Sequence, residues 1–251
     1  FLRTQNRSTG IPEEDILQIA IKSMGLDDLK EFNPREKVIE YLLEDENKSK
    51  KLIDLTVKGF ADETSRESPA PGGGTISAYM GALGAALGTM VANLSSHKAG
   101  WDARWEEFSN WADKGQKIQA ELMTLVDEDT EAFNRIMEAF GLPKKTEEEK
   151  AARSAAIQAA TLFATQVPLH TMQASFKVFE LCKAMAEEGN PNSVSDAGVG
   201  VLAARAAVLG AGLNVKINAS GLKDRETADK LVGEANELIK KANELEAEIM
   251  K

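Results

Sequence analysis

The chain has 251 residues, 43% of them apolar, and a formal net charge of -10 at pH 7. That length and apolar content suffice for a sizeable core and predict a soluble globular chain, while the acidic balance argues against nucleic acid or an anionic membrane as the main partner. A single cysteine, Cys182, excludes an internal disulfide and fits a reducing compartment, and two isolated histidines, His97 and His170, give no basis for a zinc site.

The chain opens on Phe1 rather than Met and reads as a piece of a longer one. Pro12 at a first helical position, with Ile16, Ile19, Ala20 and Met24 as an apolar stripe, predicts a short helix stopped by Gly25. Asn33-Pro34 starts a second, carrying Val38, Ile39, Leu42 and Leu43. Two such helices cannot make a core alone, so residues 1–43 read as a separate unit that packs on something else. The polar run within 44–51 reads as a linker, and helical periodicity resumes at Leu52, Leu55, Val57 and Phe60.

From Ser68 to Ser96 no charged residue occurs. Pro69, Pro71 and Gly72-Gly73-Gly74 make a stiff entry and a glycine loop, and Thr75 is placed to cap the helix that follows. In that helix Ser77, Gly81, Ala85 and Thr89 recur every fourth residue, as do Gly84, Gly88 and Ala92, so neighbouring helices can come very close. The run is long enough to span a bilayer, but Gly and Ala supply little transfer energy and the flanks lack aromatic anchors, so a buried central helix is expected. The loop lacks the Gly-Lys-Ser/Thr ending of a P-loop and the preceding strand of a dinucleotide site. It is either a tight turn letting helices cross or a set of amides facing an anion or polar heterocycle.

A basic turn, His97-Lys98-Ala99-Gly100, leads to a long helix from about Arg104 to Phe140, closed by Gly141-Leu142-Pro143. Thr146 and Glu149 form a capping box that opens another long helix, which Pro168 should kink or break. After Gly189 to Ser193, Ser195 or Asp196 can cap a helix from about Ala197 to Val215, and residues 218–224 make the last turn. The final helix carries Ala228, Leu231, Ala235, Leu238, Ala242, Leu245 and Ile249 in heptad register, a seam that needs a partner in the chain or across a dimer. Nothing alternates with period two, so the fold class is all-α, with long antiparallel helices around an Ala/Gly-rich central helix.

Asp129 stands out chemically. Steps of three and four place it on the stripe of Leu122, Leu125, Val126, Phe133, Ile136 and Met137, while Asp127, Glu128 and Glu131 fall off it. A carboxylate facing a core needs partners, a backbone amide or a base such as Arg153, and burial lifts its pKa toward the range useful for proton transfer. Asn214 and Asn218, one turn apart, either orient two amides into one cavity or cap the helix end. Lys98, Arg205 and Lys216 are candidates to meet a ligand carboxylate, or are solvated surface.

From about Leu52 onward the chain resembles the cyclodeaminase domain of the formimidoyltransferase-cyclodeaminase family, shared with some bacterial methenyltetrahydrofolate cyclohydrolases. The resemblance lies in Pro69-Ala70-Pro71-Gly72-Gly73-Gly74-Thr75, Leu125 to Asp129 with Ala132-Phe133, Leu142-Pro143-Lys144, Val167-Pro168-Leu169, Ser195-Asp196 and Asn214-Val215-Lys216-Ile217-Asn218. Phe32 to Leu42 looks like the tail of the transferase domain. The resemblance implies three parts, a transferase tail at 1–43, a linker at 44–51 and a helical cyclodeaminase domain at 52–251. It implies a cytoplasmic homodimer or higher oligomer acting on a folate, polyglutamylated in kind, with no covalently bound cofactor and no metal. The reaction implied is conversion of 5-formimidoyltetrahydrofolate to 5,10-methenyltetrahydrofolate and ammonia in histidine degradation. Asp129 matches the family's catalytic aspartate; Gly72, Gly73, Gly74 and Thr75 would contact the folate, Asp196, Asn214 and Asn218 shape its pocket, and Lys98 and Lys216 meet its glutamate carboxylates. His97 departs from the small residue expected there. The rival readings are a cyclohydrolase on the same scaffold and a non-catalytic helical oligomerisation module.

Overall fold

A computed structural model describes residues 1–46, 51–68 and 70–251. In the first of these stretches Pro12 occupies the capping position of α1 (Glu13–Ser23), and Gly25 closes it with φ +66°. Where one short helix was expected after Asn33-Pro34, there are two, α2 (Pro34–Lys37) and α3 (Ile39–Glu46), because Val38 is extended between them. Residues 44–46 of the expected linker are the last turn of α3; 47–50 lie outside the described residues, as does Pro69.

This segment leaves much of its apolar surface in solvent: Met24 after α1 is 64% exposed, Ile39 of α3 69%, and Leu29 in the intervening turn fully. What ties the segment down is short and polar. Thr9 N–H donates to Ser109 Oγ at 3.1 Å, Thr9 Oγ1 donates to the Asp113 carboxylate at 2.9 Å, and Asn93 Nδ2 donates to Gly10 O at 2.7 Å. The segment thus docks at the end of the molecule remote from the glycine loop.

Helical periodicity does not resume at Leu52 as a helix. Residues Leu52–Asp54 form a 3-10 turn, held where Leu52 N–H donates to Asp127 Oδ1 at 2.8 Å, and α4 (Val57–Thr64) begins after the Thr56 cap. Leu52, Ile53 and Phe60 pack on the core, and the Phe60 and Tyr79 rings meet at 5.2 Å.

Five long helices then run up and down in succession: α5 (Gly73–Ser96), α6 (Trp105–Gly141), α7 (Glu147–Glu188), α8 (Val194–Ala219) and α9 (Arg225–Ile249). Among the described residues there are helices and turns and no strand. α5 and α8 are each long and apolar enough to cross a membrane by length and composition. α5 is nonetheless the centre of the bundle, packed by α6, α7 and α8 together, because its small side chains let three helices approach. Where α5 and α8 cross, a Cβ on Gly84 would lie 2.9 Å from the Gly200 carbonyl, and one on Gly200 would lie 2.7 Å from Cys182 Sγ. Cys182 is sealed beneath that crossing, and burial pushes its thiol up to about 12.

Boundaries shift where capping was inferred from side chains alone. α8 starts at Val194, three residues before the expected Ala197, with Ser193 at the cap position and no side-chain capping bond; neither Ser195 nor Asp196 caps it. The Thr146 and Glu149 capping box of α7 forms as expected, and α7 passes Pro168 without a break. The α9 seam finds its partner inside the chain: Ala228, Ala235 and Ala242 are fully buried, and α9 lies against α7 and α8.

Candidate active site

α6 buries Phe108, Ala112, Ile118, Leu122, Leu125, Val126, Ala132 and Ala139 along one face, and Asp129 sits within that series. Antiparallel packing brings it to the first turn of α5. Asp129 Oδ2 accepts from both the Thr75 N–H and the Thr75 hydroxyl, each at 2.8 Å. The partner is therefore Thr75 and not Arg153, which donates to Phe140 O and lies over the Phe140 ring. Burial pushes the Asp129 carboxyl above its ordinary value of 3.8, and the two Thr75 bonds pull the other way.

Gly72, not Thr75, holds the cap position of α5, so Gly73 and Gly74 belong to the helix rather than to a loop ahead of it. Thr75 Oγ1 accepts from Gly72 N–H at 3.4 Å while donating to Asp129. Gly74 is required by proximity: a Cβ there would lie 2.1 Å from Asp129 Oδ1. Among the described residues, the Gly73 and Gly74 N–H groups meet no acceptor. They remain available at a helix N-terminus, where the dipole favours electronegative atoms.

These groups border a cavity of about 180 Å3. Its wall is formed by Gly72, Gly73 and Gly74 of the α5 start, Asp129 with Phe133 and Ile136 of α6, Ala164 of α7, and Asn214 with Asn218 of α8. The two asparagines lie inside α8 and do not end it. Asn214 Nδ2 donates to Gly210 O at 3.0 Å, and Asn218 Nδ2 donates to Ala164 O at 2.6 Å.

Of the ten residues singled out from sequence, six line this one cavity: Gly72, Gly73, Gly74, Asp129, Asn214 and Asn218; Thr75 is bonded to the carboxylate. Three are not brought to it. Lys98 follows the far end of α5, about 36 Å along at 1.5 Å per residue, with its Nζ 4.0 Å from the centre of the Trp101 ring. Asp196 lies in the first turn of α8, about 27 Å along that helix from Asn214. Lys216 lies between the two asparagines but is exposed. Arg205 is engaged by Asn243, to whose Oδ1 its Nε donates at 2.8 Å.

The apolar wall was not singled out as cavity lining in the sequence. Phe133 and Ile136 share the stripe that marks Asp129, which was a usable signal; Ala70, Ala132 and Ala164 carry none that sets them apart from other alanines. Two short apolar walls and one polar end, with a carboxylate and free amides, suit a flat heterocycle bearing both donors and acceptors, and the raised carboxyl suits proton exchange with it.

The family model described as formiminotransferase-cyclodeaminase matches residues 56–237. The chain belongs to that family. A second model, the formiminotransferase domain, matches residues 1–44. The mouse formimidoyltransferase-cyclodeaminase is 33% identical over 232 residues, covering 92% of this chain and 43% of the mouse protein. The methenyltetrahydrofolate cyclohydrolase of Methylorubrum extorquens is 41% identical over 194 residues, 77% of this chain and 93% of its own. The crystal structure of formiminotetrahydrofolate cyclodeaminase from Thermotoga maritima superposes with a TM-score of 0.70 at 26% identity, covering 79% of this chain and 96% of that one. The chain therefore spans less than half of the mouse bifunctional relative and nearly the full length of the two single-unit relatives.

Proposed function

We propose that this protein is a formimidoyltetrahydrofolate cyclodeaminase, converting 5-formimidoyltetrahydrofolate to 5,10-methenyltetrahydrofolate with release of ammonia, a step of histidine degradation. The observation that carries the reading is the Asp129 carboxyl, raised by burial, bonded twice to Thr75 and bordering a cavity with two helix-terminal amides. In this reading N10 of the folate attacks the formimidoyl carbon. N10 gives up its proton to Asp129, and Asp129 passes it to the departing nitrogen, which leaves as ammonia. No net proton is consumed when the formimidoyl group enters as its protonated form. The Gly73 and Gly74 amides and the two asparagines hold the pterin in place.

Residues 1–43 are, in the same reading, the tail of a formimidoyltransferase domain and 52–251 the cyclodeaminase unit. The exposed Leu213 (69%) and Ile217 (69%), which flank Asn214 on α8, support a homodimer or higher oligomer built on that face. A second reading, methenyltetrahydrofolate cyclohydrolase, is favoured by the 41% identity to the Methylorubrum extorquens relative of that name. One assay separates the two. Purified protein is given 5-formimidoyltetrahydrofolate or 5,10-methenyltetrahydrofolate, with methenyl absorbance and ammonia followed together. Methenyl absorbance rising in step with ammonia supports the cyclodeaminase; absorbance that only falls, with the methenyl substrate alone, supports the cyclohydrolase.

A further inference from the structure

Pro168 is buried in the interior of α7. In a regular helix the residue at 168 donates its N–H to the carbonyl four residues back, that of Ala164; proline has no N–H to give. Ala164 lines the cavity, so its carbonyl has lost its regular donor at the wall where a ligand would sit. Asn218 Nδ2 supplies the missing donor from α8 at 2.6 Å.

That bond has a directional consequence. A carbonyl oxygen only accepts, so it can pair with the NH2 end of the amide and not with the oxygen end. With Nδ2 committed to α7, Oδ1 is left as the acceptor that Asn218 offers to the cavity it lines. Asn214, one turn earlier on α8, also has an acceptor for its Nδ2, donating to Gly210 O at 3.0 Å. The α6 and α8 side of the cavity thus carries the Asp129 carboxylate and two asparagines that each spend a donor N–H within the protein, while the α5 side carries the donor amides of Gly73 and Gly74. A fused heterocycle with an exocyclic amino group and ring N–H groups matches the carboxylate and the Asn218 oxygen, and its ring carbonyl matches the amides.

We infer that Pro168 is a positioning residue of this cavity: by leaving the Ala164 carbonyl without a helical donor, it holds the Asn218 amide with its oxygen toward the ligand, making the wall selective for N–H donors of a pterin-like head group. The identity of the ligand rests on the folate reading above; the orientation of Asn218 does not. A residue with an N–H at 168 would compete for the Ala164 carbonyl and release Asn218 to turn.

The full chain is compared as wild type, Pro168→Ala, Asn218→Ala and the double variant, with tetrahydrofolate as a non-reacting probe in calorimetry and 5-formimidoyltetrahydrofolate in steady-state kinetics. Pro168→Ala is expected to melt no lower than wild type, since a proline leaves a helix interior. Its Kd for tetrahydrofolate and its KM should rise about five- to tenfold, the worth of one neutral hydrogen bond, with kcat within about twofold. Asn218→Ala should show the same loss and the double variant no more than either, because both act through one amide. Wild-type Kd and KM in Pro168→Ala, or additive losses in the double variant, would overturn the inference. Should Pro168→Ala fail to fold, Asn218→Asp decides: it keeps an oxygen toward the ligand whichever way it turns, so its affinity must stay within about twofold of wild type while Asn218→Ala loses about five- to tenfold, and a loss in Asn218→Asp as large as in Asn218→Ala refutes the role of that oxygen. If wild type binds no tetrahydrofolate, the folate reading fails, and the side-chain amide of Asn218 still tests the positioning by NMR. Slow hydrogen exchange in wild type, lost in Pro168→Ala, supports it; exchange unchanged between the two refutes it.

Discussion

Asp129 and Thr75 divide one hydrogen-bonding problem between them. The carboxylate takes the Thr75 N–H that the start of α5 would leave without a helical acceptor, and the hydroxyl joins it on the same oxygen. Burial outweighs those bonds, so the carboxyl titrates above its ordinary 3.8. A raised carboxyl pKa means that folding disfavours the charged form: the stability linked to Asp129 is full at low pH and is lost as pH rises through its folded pKa. Asp129→Asn should therefore melt at or above wild type at pH 8, with the gap closing toward pH 4, as calorimetry across that range will record. The same variant should lose about two powers of ten or more in kcat, and the acid limb of the wild-type kcat/KM profile, with its midpoint above the ordinary carboxylate value, should vanish with it. Gly74→Ala makes a complementary test. Its Cβ would sit 2.1 Å from Asp129 Oδ1, so the carboxylate must move; a cost of about 1–3 kcal/mol in denaturant unfolding and a fall in kcat/KM with substrate are expected.

At the scale of elements, the bundle depends on ends and crossings. Thr146 accepts from Glu149 N–H at 3.2 Å, and the Glu149 carboxylate answers by accepting from Thr146 N–H, so α7 begins with both cap groups satisfied. Thr146→Ala should cost about 1 kcal/mol, lowering Tm by about 2–4 °C for a chain of this size, with the cavity untouched. The α5 and α8 crossing has no such slack. A methyl group on Gly200 would meet Cys182 Sγ at 2.7 Å and the Gly84 carbonyl at 3.1 Å, so Gly200→Ala should destabilise by about 1–3 kcal/mol in urea titration.

At the scale of the whole molecule, the attachment of the N-terminal segment and the Asp129 cavity lie at opposite ends of the bundle. The residues before α1 attach through Thr9 and Gly10 to Asn93, Ser109 and Asp113, far from Gly74 along both α5 and α6. Deleting residues 1–46, of which the α-helices cover only 11, 4 and 8 residues, should raise helical content per residue slightly and leave kcat within about twofold, since distant sites act independently, and circular dichroism with the ammonia assay will check both. The two single-unit relatives, which span 77% and 79% of this chain, support a unit that stands without that segment.

Periodicity in the chain was sufficient for the all-helical class, the Asp129 stripe, the α7 capping box and the α9 seam, because each follows from residues three or four apart on one element. Gly72 to Gly74, Asn214 and Asn218 could be marked as unusual, but not joined. Their meeting at Asp129 depends on which helices run antiparallel at what register, and in this chain close glycine crossings set that register. The same holds for the residues that do not reach the cavity. Lys98, Asp196 and Lys216 carry suitable charges, yet the lengths of α5 and α8 put the first two at the other end of the bundle, and the helical phase turns Lys216 to solvent. Pro168 reads in one dimension as a kink or break. Only the neighbouring helix, by placing Asn218 against the freed Ala164 carbonyl, makes it part of a cavity wall. Sequence by itself determined which faces must be buried, since burial follows local spacing; the tertiary structure alone decided which polar groups share a cavity, since that requires atoms from four helices to arrive within a few ångströms of one another.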